Sequence, residues 1–439
     1  MQKIPLITSN KYMYHIVNNM EDYIPRVIDN ELEFYIDTFG AVLLRGPKWC
    51  GKTTTAQNIA ASVIKMQDPS RSKDYIKAAE TDTSLILKGK QPRLIDEWQV
   101  APSIWDAIRT EVDDNKKSGQ YILTGSRLPA EDTVQHSGAG RIGILDMYPM
   151  SLYESGDSSG KISLRGIFEG KFTDGLTSEL TVEKLAYCLC RGGWPANIGL
   201  DYRKCAVRIK SYLDLIYESD DISLKKYAKD PAAAKEILRS YSRNVSTLAN
   251  MKTIAKDVMK DDSSISEGKF NDYIAALKGV FLIKDVPAWN PEIRSKDAIR
   301  STPKRELIDP SIAAYYLGIT PDNFVDDFST FGFLFESLCI RDLRVYSSFL
   351  GGEILYYHDK YGLECDAVVK LDDGRYGLIE VKLGSNDIDQ GVTNLNKFDK
   401  LLTENGLKLP VFKMVLTGTE LAYRRSDGIY IVPIGCLGP

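Results

Sequence analysis

Gly46-Pro47-Lys48-Trp49-Cys50-Gly51-Lys52-Thr53 is the stretch that decides how this chain is read. It follows the apolar run Gly40-Ala41-Val42-Leu43-Leu44 and leads into Thr54-Thr55-Ala56-Gln57-Asn58-Ile59-Ala60-Ala61. A buried strand, a glycine-bearing loop and a helix are therefore expected in that order, the setting in which the spacing GxxxxGK[ST] cradles a triphosphate. Gly46 and Gly51 let the backbone curl so that the main chain of Gly46, Pro47, Lys48, Trp49, Cys50, Gly51, Lys52, Thr53 and Thr54 surrounds the phosphates, its N–H groups (all but that of Pro47, which has none) pointing inward and the positive end of the helix behind them. Lys52 is expected at the β- and γ-phosphates, and the Thr53 hydroxyl at Mg²⁺. ATP with Mg²⁺ is the ligand this implies.

Working outward, Pro92-Arg93-Leu94-Ile95-Asp96-Glu97-Trp98-Gln99 reads as a short strand ending in two acids. Asp96 is expected to support the metal through its water shell, and Glu97 to polarise an attacking water. The second acid favours hydrolysis over phosphoryl transfer to a metabolite. Gln120-Tyr121-Ile122-Leu123-Thr124-Gly125-Ser126 reads as a further buried strand with a polar end. Gly138-Ala139-Gly140-Arg141-Ile142 offers an arginine from a flexible stretch, able to stabilise charge on a γ-phosphate in its own subunit or a neighbouring one. Arg141 is the expected residue, with Arg127 in reserve.

That order of motifs, followed by Met147-Tyr148-Pro149-Met150-Ser151-Leu152-Tyr153-Glu154, resembles the AAA-type ATPases of bacteria and archaea that carry a C-terminal domain of unknown function. The resemblance extends through Arg191-Gly192-Gly193-Trp194-Pro195, Tyr212-Leu213-Asp214 and the C-terminal motifs below. It implies that a polar residue at the end of the 120–126 strand senses the γ-phosphate. Ser126 is expected there, with Thr124 as the alternative.

The chain's 439 residues are enough for several domains. An α/β multidomain fold is expected: an ATPase domain with a helical lead-in over 1–155, a helical lid or connector over 156–230, a winged-helix-like unit over 231–317 and an α/β unit over 318–439. With 56 basic and 60 acidic residues the net charge is −4, so contact with nucleic acid would need a local patch. Seven scattered cysteines suggest free thiols, and no apolar run approaches a membrane span, so a cytoplasmic protein without a membrane partner is expected. Tyr23, Ile24, Val27, Ile28, Leu32 and Ile36 recur at helical spacing within the lead-in, expected from about Lys11 to Thr38. Gly192-Gly193-Trp194-Pro195 reads as a packing turn.

Residues 231–290 fit a winged helix-turn-helix, with Val280-Phe281-Leu282-Ile283 as the wing strand. Between Met251 and Asp285 six lysines meet six acids, so no surplus of positive charge pulls on phosphate. A protein contact is as well supported as DNA.

The last 120 or so residues hold a second constellation. Phe331-Gly332-Phe333-Leu334-Phe335-Glu336 opens a helix. Glu353–Tyr357, Gly362–Val369 and Arg375–Lys382 read as strands, the last two a hairpin around Asp372-Asp373-Gly374. Glu380 and Lys382, two apart, share a face that Asp366 can join, a grouping able to hold a divalent metal. The arrangement resembles the PD-(D/E)XK nuclease superfamily. By that resemblance Asp366 and Glu380 would bind metal, Lys382 would activate water and Glu336 would be the fourth member. Cys365 stands where the family has proline, and Glu364 competes as a ligand. His15, His136 and His358 are isolated, and no nucleophilic triad can be built.

The expected function is an ATPase whose nucleotide state moves a nuclease-like domain on nucleic acid, as a homo-oligomer or with a protein partner. The alternative is an ATP-dependent switch or scaffold whose nuclease-like fold only binds DNA or protein. A metabolite kinase is the third option.

Overall fold

Aliphatic strands covered on both faces are the signature of a parallel sheet, and the first third of the chain obeys it. In the computed structural model, which describes residues 23–126, 138–218, 230–258, 266–292 and 301–439, Ala41–Arg45 (β1) is buried along almost its whole length. Ser62–Lys65 (β2), Arg93–Asp96 (β3), Tyr121–Gly125 (β4) and Ile142–Asp146 (β5) join it in the order β2-β3-β4-β1-β5. Every pairing is parallel. The segments leaving β1, β3 and β4 therefore emerge at one edge, where ligands of such sheets are held. Arg141 precedes β5 and so lies at the opposite edge, about 16 Å away by the rise of a five-residue strand.

The lead-in is shorter as a helix than its periodicity suggests. It is helical over Asp29–Thr38, while Tyr23 to Ile28 approach it without helix. Pro25 biases the residue before it away from helix, and Arg26 and Tyr23 are committed to contacts described below. The part before Tyr23 lies outside the described residues.

After the first sheet come helices Leu164–Phe168, Val182–Arg191, Tyr202–Glu218, Pro231–Arg243, Met251–Val258, Glu267–Gly279 and Pro310–Leu317. The three helices of the expected winged unit are present, the first ending at Arg243 rather than near Asn250, and Ser266 caps the last by accepting from Lys269 N–H; of the turn expected from Asp261 to Ser266, residues 261–265 lie outside the described residues. The wing strand does not form. Val280 to Leu282 make a turn and bend, followed by single antiparallel bridges of Ile283 with Leu307 and Val286 with Lys304.

Phe328–Phe349, a 22-residue helix, precedes a six-stranded mixed sheet in the order β11-β12-β10-β9-β8-β7. Its strands are Gly352–His358 (β7), Glu364–Leu371 (β8), Tyr376–Lys382 (β9), Phe412–Thr417 (β10), Tyr423–Arg424 (β11) and Tyr430–Pro433 (β12). The expected hairpin is β8 and β9, antiparallel with Ala367 opposite Ile379. Period-2 alternation divides its side chains. Ala367, Val369, Ile379 and Val381 join the core of helix 328–349, whereas Val368 and Leu378 pack with Val392, Leu395 and Phe398 of helix Ile388–Glu404. The first of these cores runs continuously from Val27 and Leu152 through the connector to Leu437. Leu437–Gly438 (β13) even returns to pair with Ile162–Ser163 (β6). The three segments expected after residue 155 thus share one interior.

Candidate functional site: a phosphate cradle and an acid-lysine chain

The loop after β1 is held in shape from three sides. A Cβ at Gly46 would fall 2.1 Å from the Met147 carbonyl oxygen, so the loop needs glycine to lie against the exit of β5. Gly51 takes φ 101° at the cap of helix Lys52–Ile59, and no side chain caps that helix. Its first-turn N–H groups remain available to an anion. Cys50 is buried, its thiol 3.8 Å from Met147 O. Trp49, with φ 73°, stacks on Trp194 at 5.3 Å and 15° and lies 5.5 Å from Tyr212. The Gly192-Gly193-Trp194-Pro195 turn thus packs on the cradle, and Gly193 N–H donates to Asp309 at 2.9 Å. Lys48 and Trp49 border a groove of about 810 Å³ shared with Arg208, Tyr212 and Leu215.

Lys52 is buried, and its ammonium donates to the Gly46 and Pro47 carbonyls at 3.0 and 2.7 Å. These neutral acceptors are ones a phosphate can replace. Thr53 Oγ1 donates to Asp96 Oδ1 at 2.7 Å, and Thr124 Oγ1 donates to the same oxygen at 2.6 Å. Because β4 lies between β1 and β3, the register pairs Asp96 with Thr124. Thr124 rather than Ser126 therefore meets the acid; Ser126 is buried just past the strand end. Glu97 sits in the left-handed region at φ 57°, costly for a non-glycine residue, and its carboxylate accepts a short hydrogen bond from Gln99. Arg141 is not brought to this site: its side chain is 46% exposed and pairs with Asp113 at 2.8 Å. Arg127 lies outside the described residues.

Spacing did not reveal Arg26. Its buried guanidinium donates to Cys50 O at 2.8 Å, Tyr148 O at 2.8 Å and Glu154 Oε1 at 2.9 Å. Glu154 in turn accepts from Ser151 N–H at 2.7 Å, and Leu152 N–H donates to Asp342 of helix 328–349 at 3.0 Å. The signal was present in Ser151-x-x-Glu154, a reciprocal capping pattern. Tyr23 ties the lead-in to the cradle helix, with its hydroxyl 2.7 Å from Asp29 and 3.0 Å from Thr55.

In the C-terminal half Asp366, Glu380, Lys382 and Glu336 do converge, with an uninvited member. Lys304 Nζ lies 2.5 Å from Glu336 Oε1, 3.7 Å from Asp366 Oδ1 and 3.1 Å from the Asp366 carbonyl. On the far side Lys382 Nζ lies 3.4 Å from Asp366 Oδ2 and 2.9 Å from Glu380 Oε2. The result is a chain of alternating sign: Glu336, Lys304, Asp366, Lys382, Glu380. Burial lowers the pKa of Lys304, but Glu336 and Asp366 outweigh it and hold the ammonium charged. Burial pushes Glu336 and Glu380 up to about 8. Burial also pushes Asp366 up, but Lys304 and Lys382 together bring it below the usual carboxylate range. Glu364 is exposed at the start of β8, opposite His358, and stands outside the chain.

Among the described residues no group of three or more His, Cys, Asp or Glu side chains is placed to hold a metal ion. Of the metal set expected, Glu336, Asp366 and Glu380 are separated by two ammonium groups, those of Lys304 and Lys382. All seven cysteines are free and buried. No helix among the described residues is long and apolar enough to cross a membrane.

Three family matches divide the chain. Residues 38–156 match the AAA domain, residues 182–323 a domain of unknown function, DUF8612, and residues 331–437 another, DUF4143. Among solved structures, the Walker-type ATPase of Pyrococcus abyssi is 14% identical, covers 68% of this chain and 97% of its own, and superposes with a TM-score of 0.44. A DNA replication initiation factor is also 14% identical, covers 57% and 87%, and gives 0.26. No curated protein matches this chain.

Proposed function

We propose that this chain, whose residues 38–156 form an AAA-type P-loop ATPase domain, is an ATP-dependent switch that binds and hydrolyses ATP with Mg²⁺. One observation carries the reading: Thr53, Asp96 and Thr124 meet at a single carboxylate oxygen beside an uncapped helix and a lysine that rests on main-chain carbonyls. That donor set fits a magnesium nucleotide. The main chain of Gly46 to Thr54 and Lys52 would hold the phosphates, Thr53 and Asp96 the ion, and Thr124 would orient Asp96. Glu97, freed from Gln99, would position water. The bound ion would offset charge developing on the phosphates. Arg141 would serve only from a neighbouring copy, since it leaves the opposite edge of its own sheet.

Coupling to the C-terminal half is supported by Arg26, Glu154 and Leu152, whose hydrogen bonds link the cradle to helix 328–349. The resemblance of β8 and β9 to PD-(D/E)XK nucleases suggests nucleic acid as the partner, through a helical connector with winged-helix-like order. The lysines among the acids favour binding over cutting. To test this, wild type, Glu97→Gln and Lys382→Ala are incubated with labelled DNA or RNA, Mg²⁺ or Mn²⁺, and ATP. ATP loss in wild type, reduced at least ~100-fold in Glu97→Gln and without strand cleavage, is the expected result. Cleavage by wild type but not by Lys382→Ala would overturn the non-cutting reading. ATP loss that requires an added small acceptor would instead mark a kinase.

A further inference from the structure

We infer that Lys304 is the resident cation of the C-terminal acid chain, an internal ammonium that takes the place of a divalent metal between Glu336 and Asp366.

Three observations carry this. The first is position: the Lys304 side chain is 8% exposed, its ammonium touches both acids, and it lies 5.8 Å from the centre of the Tyr356 ring. The second is anchorage. Val286 and Lys304 exchange both main-chain hydrogen bonds, each 3.0 Å, so the lysine's backbone is fixed. The third is saturation. Asp366 Oδ1 faces Lys304, Oδ2 accepts from Val381 N–H at 2.8 Å and faces Lys382, and the carbonyl is taken by Lys304 as well. A metal would need those same oxygens. Beside them Glu380 Oε1 is buried and unpartnered, an acceptor left over once the two lysines are placed. A cavity of about 260 Å³ lined by Lys304, Glu336, Asp366, Tyr356 and His358 gives solvent ions a way in, so access is not what excludes them.

Charge explains the consequence. Asp366 is the acid of the chain that stays ionised, and it lies between two ammonium groups, Lys304 and Lys382. A dication entering beside Lys304 would meet an ammonium in contact with its prospective ligands. Without Lys304 one of those ammonium groups is gone and Glu336, Asp366 Oδ1 and the Asp366 carbonyl are released beside the orphan Glu380 oxygen, the condition in which a divalent ion is attracted. Removing one lysine should therefore create a metal site that the native chain lacks.

The inference deepens the non-cutting reading of the C-terminal half and rests on it only for that half. Its test uses neither nucleotide nor nucleic acid, so its failure is distinguishable from failure of the switch. The full chain, Asp366→Asn, Lys304→Met and the double variant are titrated with Mn²⁺ by calorimetry, with melting followed in parallel. The native chain is expected to show no Mn²⁺ binding that Asp366→Asn removes. Lys304→Met is expected to gain a site at least ~10-fold tighter than any native event, absent from the double variant. Native binding that disappears in Asp366→Asn would overturn the inference, and this arm holds even if Lys304→Met fails to fold. A folded Lys304→Met that gains no site would overturn it too.

Discussion

The two halves of this chain satisfy buried carboxylates in opposite ways. Around the cradle, Asp96 is met by two hydroxyls, and Lys52, the nearby ammonium, is held by carbonyls. The fixed cation there, Arg26, is placed behind the loop and neutralised by Glu154. In the C-terminal half both ammonium groups are spent on acids. The difference separates a site open to a charged ligand from one already balanced. A carboxylate supported by neutral donors still attracts a metal ion, and a lysine resting on carbonyls still attracts a phosphate. An acid-lysine chain has made its ion pairs internally.

The comparison breaks most visibly at Arg26. Arg26→Ala leaves Glu154 buried without its cation and Cys50 O without a donor, a change expected to cost about 3–5 kcal/mol and weaken nucleotide binding. Denaturant unfolding and titration with a fluorescent ATP analogue check this. Stability within about 1 kcal/mol of native would mean that Arg26 does not brace the loop.

A smaller effect sharpens the role of neutral donors. Thr124→Val removes one of two hydroxyls from Asp96 and is expected to lower ATP turnover about tenfold, while Ser126→Ala stays within about twofold. Steady-state turnover with varied Mg²⁺ distinguishes them, and the reverse ranking would restore Ser126 as the sensing residue.

The smallest effect concerns an acid that neither strategy serves. Burial, and then the charge of Asp372, push Glu31 up to about 7. Its folded pKa thus exceeds the unfolded value near ~4.3, so its contribution is fully present below pH ~4 and lost as pH rises through 7. Glu31→Gln is expected to lose less melting temperature than the native chain between pH 5 and 8. Equal losses would remove Glu31 from the account.

The cradle was legible because its chemistry is local: Gly46, Gly51, Lys52 and Thr53 lie within one turn of chain, and Asp96 and Glu97 close a single strand. The choice between Ser126 and Thr124 was not legible, since it depends on β4 lying between β1 and β3 with Thr124 opposite Asp96. Where Arg141 stands in its own chain was not legible for a related reason, because spacing does not say at which end of a parallel strand an arginine is left. In the C-terminal half Glu380-x-Lys382 and Asp366 were readable as neighbours on a hairpin. Lys304 was not, because Thr302-Pro303-Lys304-Arg305-Glu306 has the mixed charge of a solvated loop.

Read alone, the sequence located the glycine loop and its lysine, the acid at the end of β3 that stands beside it and the strand pair that carries the second group of charges. All of these follow from side chains a few residues apart, whose relative placement backbone geometry dictates. Only the tertiary structure decided that Arg26 braces the cradle and that Lys304 enters the acid chain. Those partners come from 24 to 128 residues away for Arg26 and 32 to 62 for Lys304. No local rule brings such charges together; packing around a shared core does, and burial then makes each pairing matter.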